Sequence, residues 1–292
     1  MQNTNPFVSI VVTTYNRKEL LKETVDSILS QSHENFELII VDNYSNYNFL
    51  ELIESFNDKR INAYQNTNNG IIAINRNFGI KKAKGEYIAF CDDDDIWYPN
   101  KLEVQLSFFN DTEIIGVGSV YDILSSESSK VIRTKKIKDK VLDFKQIIMD
   151  NSGVALSSLV IKNKLLLFDE GSEFFAIEDY AFQVMICFES KSKILRLGKP
   201  LLKYRLHGNN NSSLQQVVAG KIIIEKYKEY LQISDLKLSL QVYYYQIGKK
   251  YRALGKMGDA KRFFSKAASL GFTSFIYMIK IQVAYFMCMF KL

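Results

Sequence analysis

The sequence predicts an α/β fold, a mainly parallel sheet flanked by helices, followed by an all-helical extension. Three observations carry this. Short β-branched runs alternate with segments whose apolar residues recur at helical spacing. Polar clusters stand where the predicted strands end. From about Leu214 the chain turns lysine-rich and aromatic, with no proline after Pro200, as a set of helices requires.

The elements follow in order. Val8-Ser9-Ile10-Val11-Val12 is a nearly continuous β-branched run, the pattern of a strand buried on both faces of a parallel sheet. Asn16, with Glu19 three positions later, predicts a helix start, and Leu20, Leu21, Val25, Ile28 and Leu29 then recur at helical spacing. Phe36 to Val41 reads as a second strand ending at Asp42. A helix from Phe49 to Phe56, a strand from Ile61 to Tyr64 and a helix from Ile72 to Ala83 lead to the strand Tyr87-Ile88-Ala89-Phe90-Cys91.

Composition narrows the class. A chain of 292 residues, 47% hydrophobic and 24% charged, can bury one large core or two modest ones and is not of disordered type. The formal charge is +6, part of it in Lys130, Arg133, Lys135, Lys136, Lys138 and Lys140, which read first as a solvated loop. Anionic lipid or a phosphorylated acceptor is the functional alternative for that cluster. No stacking-and-basic module accompanies it, so nucleic acid is not expected. Cys91, Cys187 and Cys288 are odd in number and far apart, which fits neither a disulfide framework nor a cysteine zinc site and suits a reducing cytoplasm. The first apolar segment, Phe7 to Val12, is broken by Ser9 and stops at Thr13, so it reads as a strand and not as a secretory signal.

Four aspartates, Asp92 to Asp95, follow directly on the last of these strands. Adjacent carboxylates repel one another, and a bound divalent cation converts the repulsion into coordination by hard oxygens. In an extended segment Asp92 and Asp94 face one way and Asp93 the other. A solvated acidic turn is the plainer reading, and the strand before the tetrad and the turn Ile96-Trp97-Tyr98-Pro99 after it weigh against it. Ligands of parallel sheets bind beyond the carboxyl ends of strands. Three polar clusters lie there: Thr13-Thr14-Tyr15-Asn16, Asp42-Asn43 and the tetrad. There is no Gly-x-Gly-x-x-Gly after the first strand and no Gly-Lys-Ser/Thr phosphate loop, which excludes dinucleotide oxidoreductases and P-loop nucleotidases of the usual type.

The ordered set Val8-Ser9-Ile10-Val11-Val12-Thr13-Thr14-Tyr15-Asn16-Arg17, Val41-Asp42, Asn75-Arg76-Asn77-Phe78-Gly79, Gly85 to Asp95, Glu178-Asp179 and Tyr204-Arg205-Leu206-His207 resembles the inverting family 2 glycosyltransferases of the GT-A, nucleotide-diphospho-sugar transferase fold. The resemblance covers roughly residues 6 to 215. It implies a GT-A domain over 1–213, with a donor half at 1–110 and an acceptor half at 111–213. It also implies a sugar transfer from a nucleotide diphosphate to a hydroxyl of a bacterial surface glycan or lipid-linked oligosaccharide.

Residue roles follow from the same resemblance. Thr13 and Tyr15 are expected beside the nucleobase, Tyr15 offering a ring face or else packing on the helix start. Asp42 is expected to accept the imide N–H of uracil or thymine, favouring uridine or thymidine donors over guanosine ones, with a UDP-sugar the expected donor. Arg76 is expected near the diphosphate, its alternative being a surface arginine. The Asp-x-Asp motif falls on Asp92-Asp93-Asp94: Asp92 near the ribose, Asp94 on Mn²⁺ or Mg²⁺, with Asp93 and Asp95 in the same pocket. Asp93 adds a third charge where the family often has a small or polar residue, so which carboxylates ligate stays open. His207 is a candidate metal ligand or a loop histidine, and Arg205 a phosphate candidate. Asp179, with Glu178, is the expected general base for the acceptor hydroxyl; on local sequence alone the pair also reads as acidic residues at a helix N-terminus.

The remaining chain, 214–292, is expected to be helical. Tyr244, Ile247, Gly248, Tyr251, Ala260, Phe264 and Ala267 fall at the spacings of a tetratricopeptide helix pair over 241–274. The apolar tail 274–292 is borderline in length for spanning a bilayer and carries Lys280 at its middle, so it reads as an in-plane helix at the cytoplasmic membrane face or as a packed bundle helix. A non-catalytic assembly protein that keeps the sugar-nucleotide fold is the alternative function, and intact Asp92, Asp94 and Asp179 speak against it. A nucleotidyltransferase is disfavoured, because no glycine-rich Arg/Lys loop follows the first strand.

Overall fold

The β-branched runs of the first hundred residues pair side by side in parallel, each returning through a helix. The computed structural model describes residues 5–125, 130–134, 137–150, 153–206 and 214–289. Its strands are β1 (Val8–Thr14), β2 (Phe36–Asp42), β3 (Ile61–Gln65), β4 (Tyr87–Asp92), β5 (Ile96–Trp97), β6 (Ile114–Ser119), β7 (Asp122–Ser125), β8 (Val131–Thr134), β9 (Lys140–Leu142), β10 (Val160–Lys162), β11 (Lys193–Leu197) and β12 (Leu202–Leu206). Its α-helices are α1 (Lys18–Leu29), α2 (Phe49–Ser55), α3 (Ile72–Lys82), α4 (Lys101–Leu106), α5 (Phe144–Asp150), α6 (Glu178–Ser190), α7 (Leu214–Tyr227), α8 (Ile233–Ala253), α9 (Met257–Ser269) and α10 (Phe275–Met289).

The chain divides into two compact units. The first comprises residues 1–143, 154–172 and 185–209 and holds all the strands named above. Its main sheet has the order β3-β2-β1-β4-β10-β6-β11-β9, and a smaller sheet has the order β5-β12-β7-β8. The expected parallel arrangement holds from β3 to β4 and between β6 and β11. β10 enters antiparallel between β4 and β6, and β9 antiparallel beside β11, so the second half of the sheet is mixed.

Burial on both faces explains why β1 and β2 carry no exposed residue. On one face Ile10, Val12, Leu38 and Ile40 pack with Leu21, Val25 and Ile28 of α1. On the other, α3 lies so close that a Cβ on Gly79 would stand 2.5 Å from Cγ1 of Val11, which is why glycine ends the Asn-Arg-Asn-Phe-Gly motif. Asn77 of the same motif exchanges two hydrogen bonds with the Phe168 backbone, at 2.9 and 2.8 Å. Gly85 admits no side chain because the Ser9 N–H and the Phe7 and Tyr87 carbonyls occupy the place of its Cβ.

Two local expectations change. Helix α1 begins at Lys18, without a side-chain cap, because Asn16 adopts a left-handed backbone (φ 55°) and its amide oxygen accepts the Asn46 N–H of the next strand's loop at 2.7 Å. The basic stretch expected as a loop is partly sheet: Arg133 belongs to β8, which pairs antiparallel with β7. All four β8 residues are exposed, and the charge suits a sheet edge that must not recruit another strand.

The second unit comprises 144–153, 173–184 and 210–292. Here α8 and α9 pack as an antiparallel pair. Ile247, Gly248, Ala260, Phe264 and Ala267 are all buried. Gly248 lets the Phe264 ring approach to 2.6 Å from where a Cβ would be. Tyr251 stacks on Phe263 with ring centroids 5.4 Å apart and planes 10° from parallel. α10 buries Ile281, Ala284 and Cys288 in the same cluster, so the tail is a packed helix on that face. Among the described residues no helix is long and apolar enough to cross a membrane.

Candidate active site

Register brings the three polar clusters to one edge. Thr14 of β1 stands opposite Asp42 of β2, and Thr13 stands opposite Asp92 of β4. Neighbouring strands are about 4.8 Å apart, so the tips form a continuous polar row at the carboxyl ends of the parallel strands.

The aspartate tetrad does not continue the strand. β4 ends at Asp92, and the Asp95 N–H donates to the Asp92 carbonyl at 3.3 Å, closing a turn. Alternation therefore stops, and Asp93 and Asp94 do not face opposite ways. Nη1 of Arg17 reaches both, 3.0 Å from Oδ1 of Asp93 and 2.8 Å from Oδ2 of Asp94. Asp93 is buried and also accepts the Thr14 hydroxyl at 2.7 Å. Burial pushes its carboxyl up to about 6, against the pull of the Arg17 charge.

Asp92 pairs with Arg76, Nη2 to Oδ1 at 3.0 Å. Arg76 is not a surface residue: it is buried, with its guanidinium 5.5 Å from the centre of the Phe168 ring. The Ser157 hydroxyl oxygen accepts the Asp92 N–H at 3.0 Å.

Asp95 and Arg205 take different parts from those expected. Asp95 is wholly buried and so lines no open pocket; its carboxylate accepts the Arg205 N–H at 3.0 Å, and its carbonyl accepts the Thr24 hydroxyl at 2.9 Å. Burial, then the Asp92 and Asp94 charges, push its carboxyl well above the usual range. The buried Arg205 guanidinium donates from Nε to the Asp94 carbonyl at 3.0 Å and from Nη2 to Glu23 at 2.6 Å. Together they brace the turn from below.

The nucleobase candidates lie along β1 and β2. Tyr15 is 54% exposed, whereas Thr13 is buried at the strand tip. Asp42 is wholly buried, and its oxygens accept from the Ser45 N–H at 3.0 Å, the Ser45 hydroxyl at 2.5 Å and the Gln65 amide at 3.0 Å. A base contact through this carboxylate exchanges one of those bonds.

A sequence model described as glycosyl transferase family 2 matches residues 9–165, more than half of the chain and the stretch that carries the row of strand tips. The chain belongs to glycosyl transferase family 2.

Relatives of the family agree. An uncharacterized glycosyltransferase of Rickettsia bellii is 32% identical over 211 residues, 70% of this chain, though only 29% of that protein's length. The chain thus spans about a third or less of this relative. The UDP-Glc:alpha-D-GlcNAc-diphosphoundecaprenol beta-1,3-glucosyltransferase WfgD of Escherichia coli is 31% identical over 208 residues, 70% of this chain and 79% of its own. The crystal structure of S. aureus TarS 1–349 in complex with UDP-GlcNAc superposes with a TM-score of 0.68 at 17% identity, covering 96% of this chain and 90% of that one, a likeness of fold.

Two of the motifs quoted for the resemblance lie beyond residues 9–165. Glu178 and Asp179 open α6, where the helix dipole favours ionised carboxylates. Oδ1 of Asp179 accepts the Tyr180 N–H at 2.7 Å, and its carbonyl accepts the Gln183 amide at 3.1 Å. Both residues belong to the second compact unit. His207 lies outside the described residues.

Among the described residues no three His, Cys, Asp or Glu are grouped to hold a metal by themselves. A lone tip carboxylate, with diphosphate and water completing an octahedron, is how Mg²⁺ is usually held, and Mn²⁺ takes the same oxygen ligands. The tetrad fits a metal shared with a phosphate ligand, and Arg17 already puts positive charge against Asp94.

The sequence gives no individual role to Arg17, to Glu23, which accepts from Arg205, or to Ser157, which accepts the Asp92 N–H. Arg17 carried a signal: a cation three positions past a strand end that neighbours an acidic strand end. Lys101 carried none. It is fully buried, with Nζ 3.8 Å from the centre of the Trp97 ring and no hydrogen-bond acceptor among the described residues; burial pulls its ammonium down to about 7.

Proposed function

We propose that this chain is a metal-dependent, inverting glycosyltransferase that moves a hexose or N-acetylhexosamine from a UDP-linked donor to a hydroxyl of a bacterial surface glycan or lipid-linked oligosaccharide. The observation that carries the reading is the aspartate turn at the end of β4, with Arg76 on Asp92 and Arg17 on Asp93 and Asp94, beside the tips of β1 and β2. The similarity to WfgD, whose name specifies a UDP-glucose donor and a diphosphoundecaprenol-linked acceptor, supports the UDP donor and the lipid-linked class. An acceptor of that class is met at the inner face of the cell membrane, where we place the enzyme.

Tyr15 offers its exposed ring to the base, while Thr13 and Asp42 line the strand tips that receive the nucleoside. Asp92 stands near the ribose, with Arg76 behind it to draw the diphosphate oxygens. Asp94 holds Mn²⁺ or Mg²⁺, with His207 as the other candidate ligand, and Asp93 keeps Arg17 in place beside it. The bound cation supplies charge stabilisation to the departing diphosphate. Asp179 takes the proton of the acceptor hydroxyl as that oxygen bonds to the anomeric carbon and the bond to the nucleotide's phosphate oxygen breaks. One displacement of this kind inverts the anomeric centre.

The test is calorimetric titration of UDP into the protein with Mn²⁺ and again with chelator, for the wild type and Asp94→Ala. Binding that needs Mn²⁺ and is lost in the variant is expected. Binding indifferent to chelator, or intact in Asp94→Ala, overturns the metal assignment. Absence of UDP binding with thymidine or guanosine diphosphate binding instead overturns the uridine assignment.

A further inference from the structure

The outward face of α10 is apolar and has no covering element among the described residues of its unit. Ile281, Ala284 and Cys288 point into the α8–α9 cluster, and the opposite side presents Phe275, Ile276, Ile279, Val283 and Phe286, continued by Phe272 before the helix. These six residues are between 43% and 70% exposed. At 100° per residue the five on the helix fall within one stripe about 100° wide, the width of a face that is normally buried. Scattered exposed apolar residues need no explanation, but a contiguous stripe of this kind marks an interaction surface.

Charge specifies the occupant. Residues 214–292 hold thirteen Lys and Arg against four Asp and Glu, a net +9, while the rest of the chain, with 25 against 28, is at −3. Several of these cations gather beside the stripe. Lys280 sits on α10 at its edge, with Nζ 4.9 Å from the Tyr277 ring centre. Lys249 is close enough to Lys280, Lys250 and Arg252 that their charges add to desolvation in holding its ammonium below the usual value. Groups facing Lys249 in this way are all positive. A second copy of the chain would bring this charge against itself, whereas an anionic surface meets it with the opposite sign. The helix is 15 residues long, about 22 Å at 1.5 Å per residue, short of the roughly 30 Å hydrocarbon core. Over its described residues it is long enough to lie in the interface and too short to cross it.

We propose that the α10 face, Phe272 to Phe286 with Lys249, Lys250, Arg252 and Lys280 beside it, docks in the plane of an anionic phospholipid bilayer. The apolar stripe enters the headgroup and acyl boundary, and the lysines meet lipid phosphates. This surface stands independently of the transfer reaction, although a lipid-linked acceptor would be met there.

The experiment is co-sedimentation of the 292-residue chain with vesicles of phosphatidylcholine alone and of phosphatidylcholine mixed with phosphatidylglycerol, without nucleotide or metal. Wild type is expected to partition onto the phosphatidylglycerol vesicles and to be released by high salt. Ile276→Gln with Val283→Gln, and separately Lys249→Gln with Lys280→Gln, should each lower the partition about tenfold or more. All four positions are solvent-exposed, and circular dichroism checks that the variants stay folded. Metal-dependent UDP binding is read in parallel and should be unchanged, so its failure tests the donor site and not this surface. Equal binding to both vesicle types, or variants that bind like wild type, overturns the proposal. A self-association seen by sedimentation equilibrium and dissolved by Ile276→Gln with Val283→Gln, with no vesicle binding, assigns the face to a second copy instead.

Discussion

Nη1 of Arg17 stands 2.8 Å from Oδ2 of Asp94, placing a side-chain cation against the carboxylate assigned to the metal. Two cations cannot share that oxygen without repulsion, so on the proposed reading Arg17 would compete with the metal until a diphosphate arrives to accept both. Arg17→Gln should therefore tighten Mn²⁺ binding to the nucleotide-free protein by about fivefold, roughly 1 kcal/mol, the scale of a half-exposed ion pair. Titration of Mn²⁺ followed by its electron paramagnetic resonance signal measures this. Unchanged or weaker affinity would show that Arg17 does not compete.

Asp179→Asn keeps the shape of the side chain and removes its basicity. Transfer should fall by about a thousandfold, within the range for loss of a general base, while UDP binding with Mn²⁺ stays within twofold of wild type. A near-normal rate in the variant would reassign the base.

Lys101 gives the protein a pH-dependent stability. Its ammonium is held at about 7 when folded, against an ordinary lysine value of 10.5. Between those values the unfolded chain binds a proton that the folded chain does not, so this group makes stability rise with pH from about 7 to 10.5 and leaves it at a constant lower level below 7. Lys101→Met keeps the stem and removes the charge. Its melting temperature at pH 6 to 7 should exceed that of wild type, by the equivalent of about 2 kcal/mol, and the rise above pH 7 should flatten. A variant less stable than wild type at pH 6 would count against a buried charge that costs stability.

Gly248 and Gly258 make a paired test of the helical unit. A side chain at Gly248 meets the Phe264 ring at 2.6 Å, and Phe264 is fully buried and cannot turn aside. Gly248→Val should destabilise by about 2 to 3 kcal/mol through overpacking. Gly258 has nothing within 4 Å of its Cβ position, and Gly258→Ala in the first turn of α9 should be neutral or stabilising by up to about 1 kcal/mol. Denaturant unfolding followed by circular dichroism separates the two; equal effects would contradict the close crossing at Gly248.

Much of the frame was legible without coordinates. The runs at Val8, Phe36 and Tyr87 and the helical spacing of Leu21, Val25 and Ile28 depend only on which neighbours in sequence are apolar, and their buried faces follow from that spacing. The contiguous motifs also announced the family. The sequence by itself therefore determined the alternation of strand and helix, the three polar tips and the helical C-terminal region.

The tertiary structure decided which charges meet. Arg17 and Asp94 are 77 residues apart, and Arg205 reaches the Asp94 carbonyl across 111. The turn at Asp95 cancelled the alternation that placed Asp92 and Asp94 on one face, and the Asn46 N–H drew Asn16 away from the helix it was expected to cap. Local pattern carries the preference of a segment for water or for the interior, because that preference depends on adjacent side chains. The partner of a buried carboxylate or guanidinium depends on which distant strand tips the sheet sets side by side, and only the folded sheet brings them together.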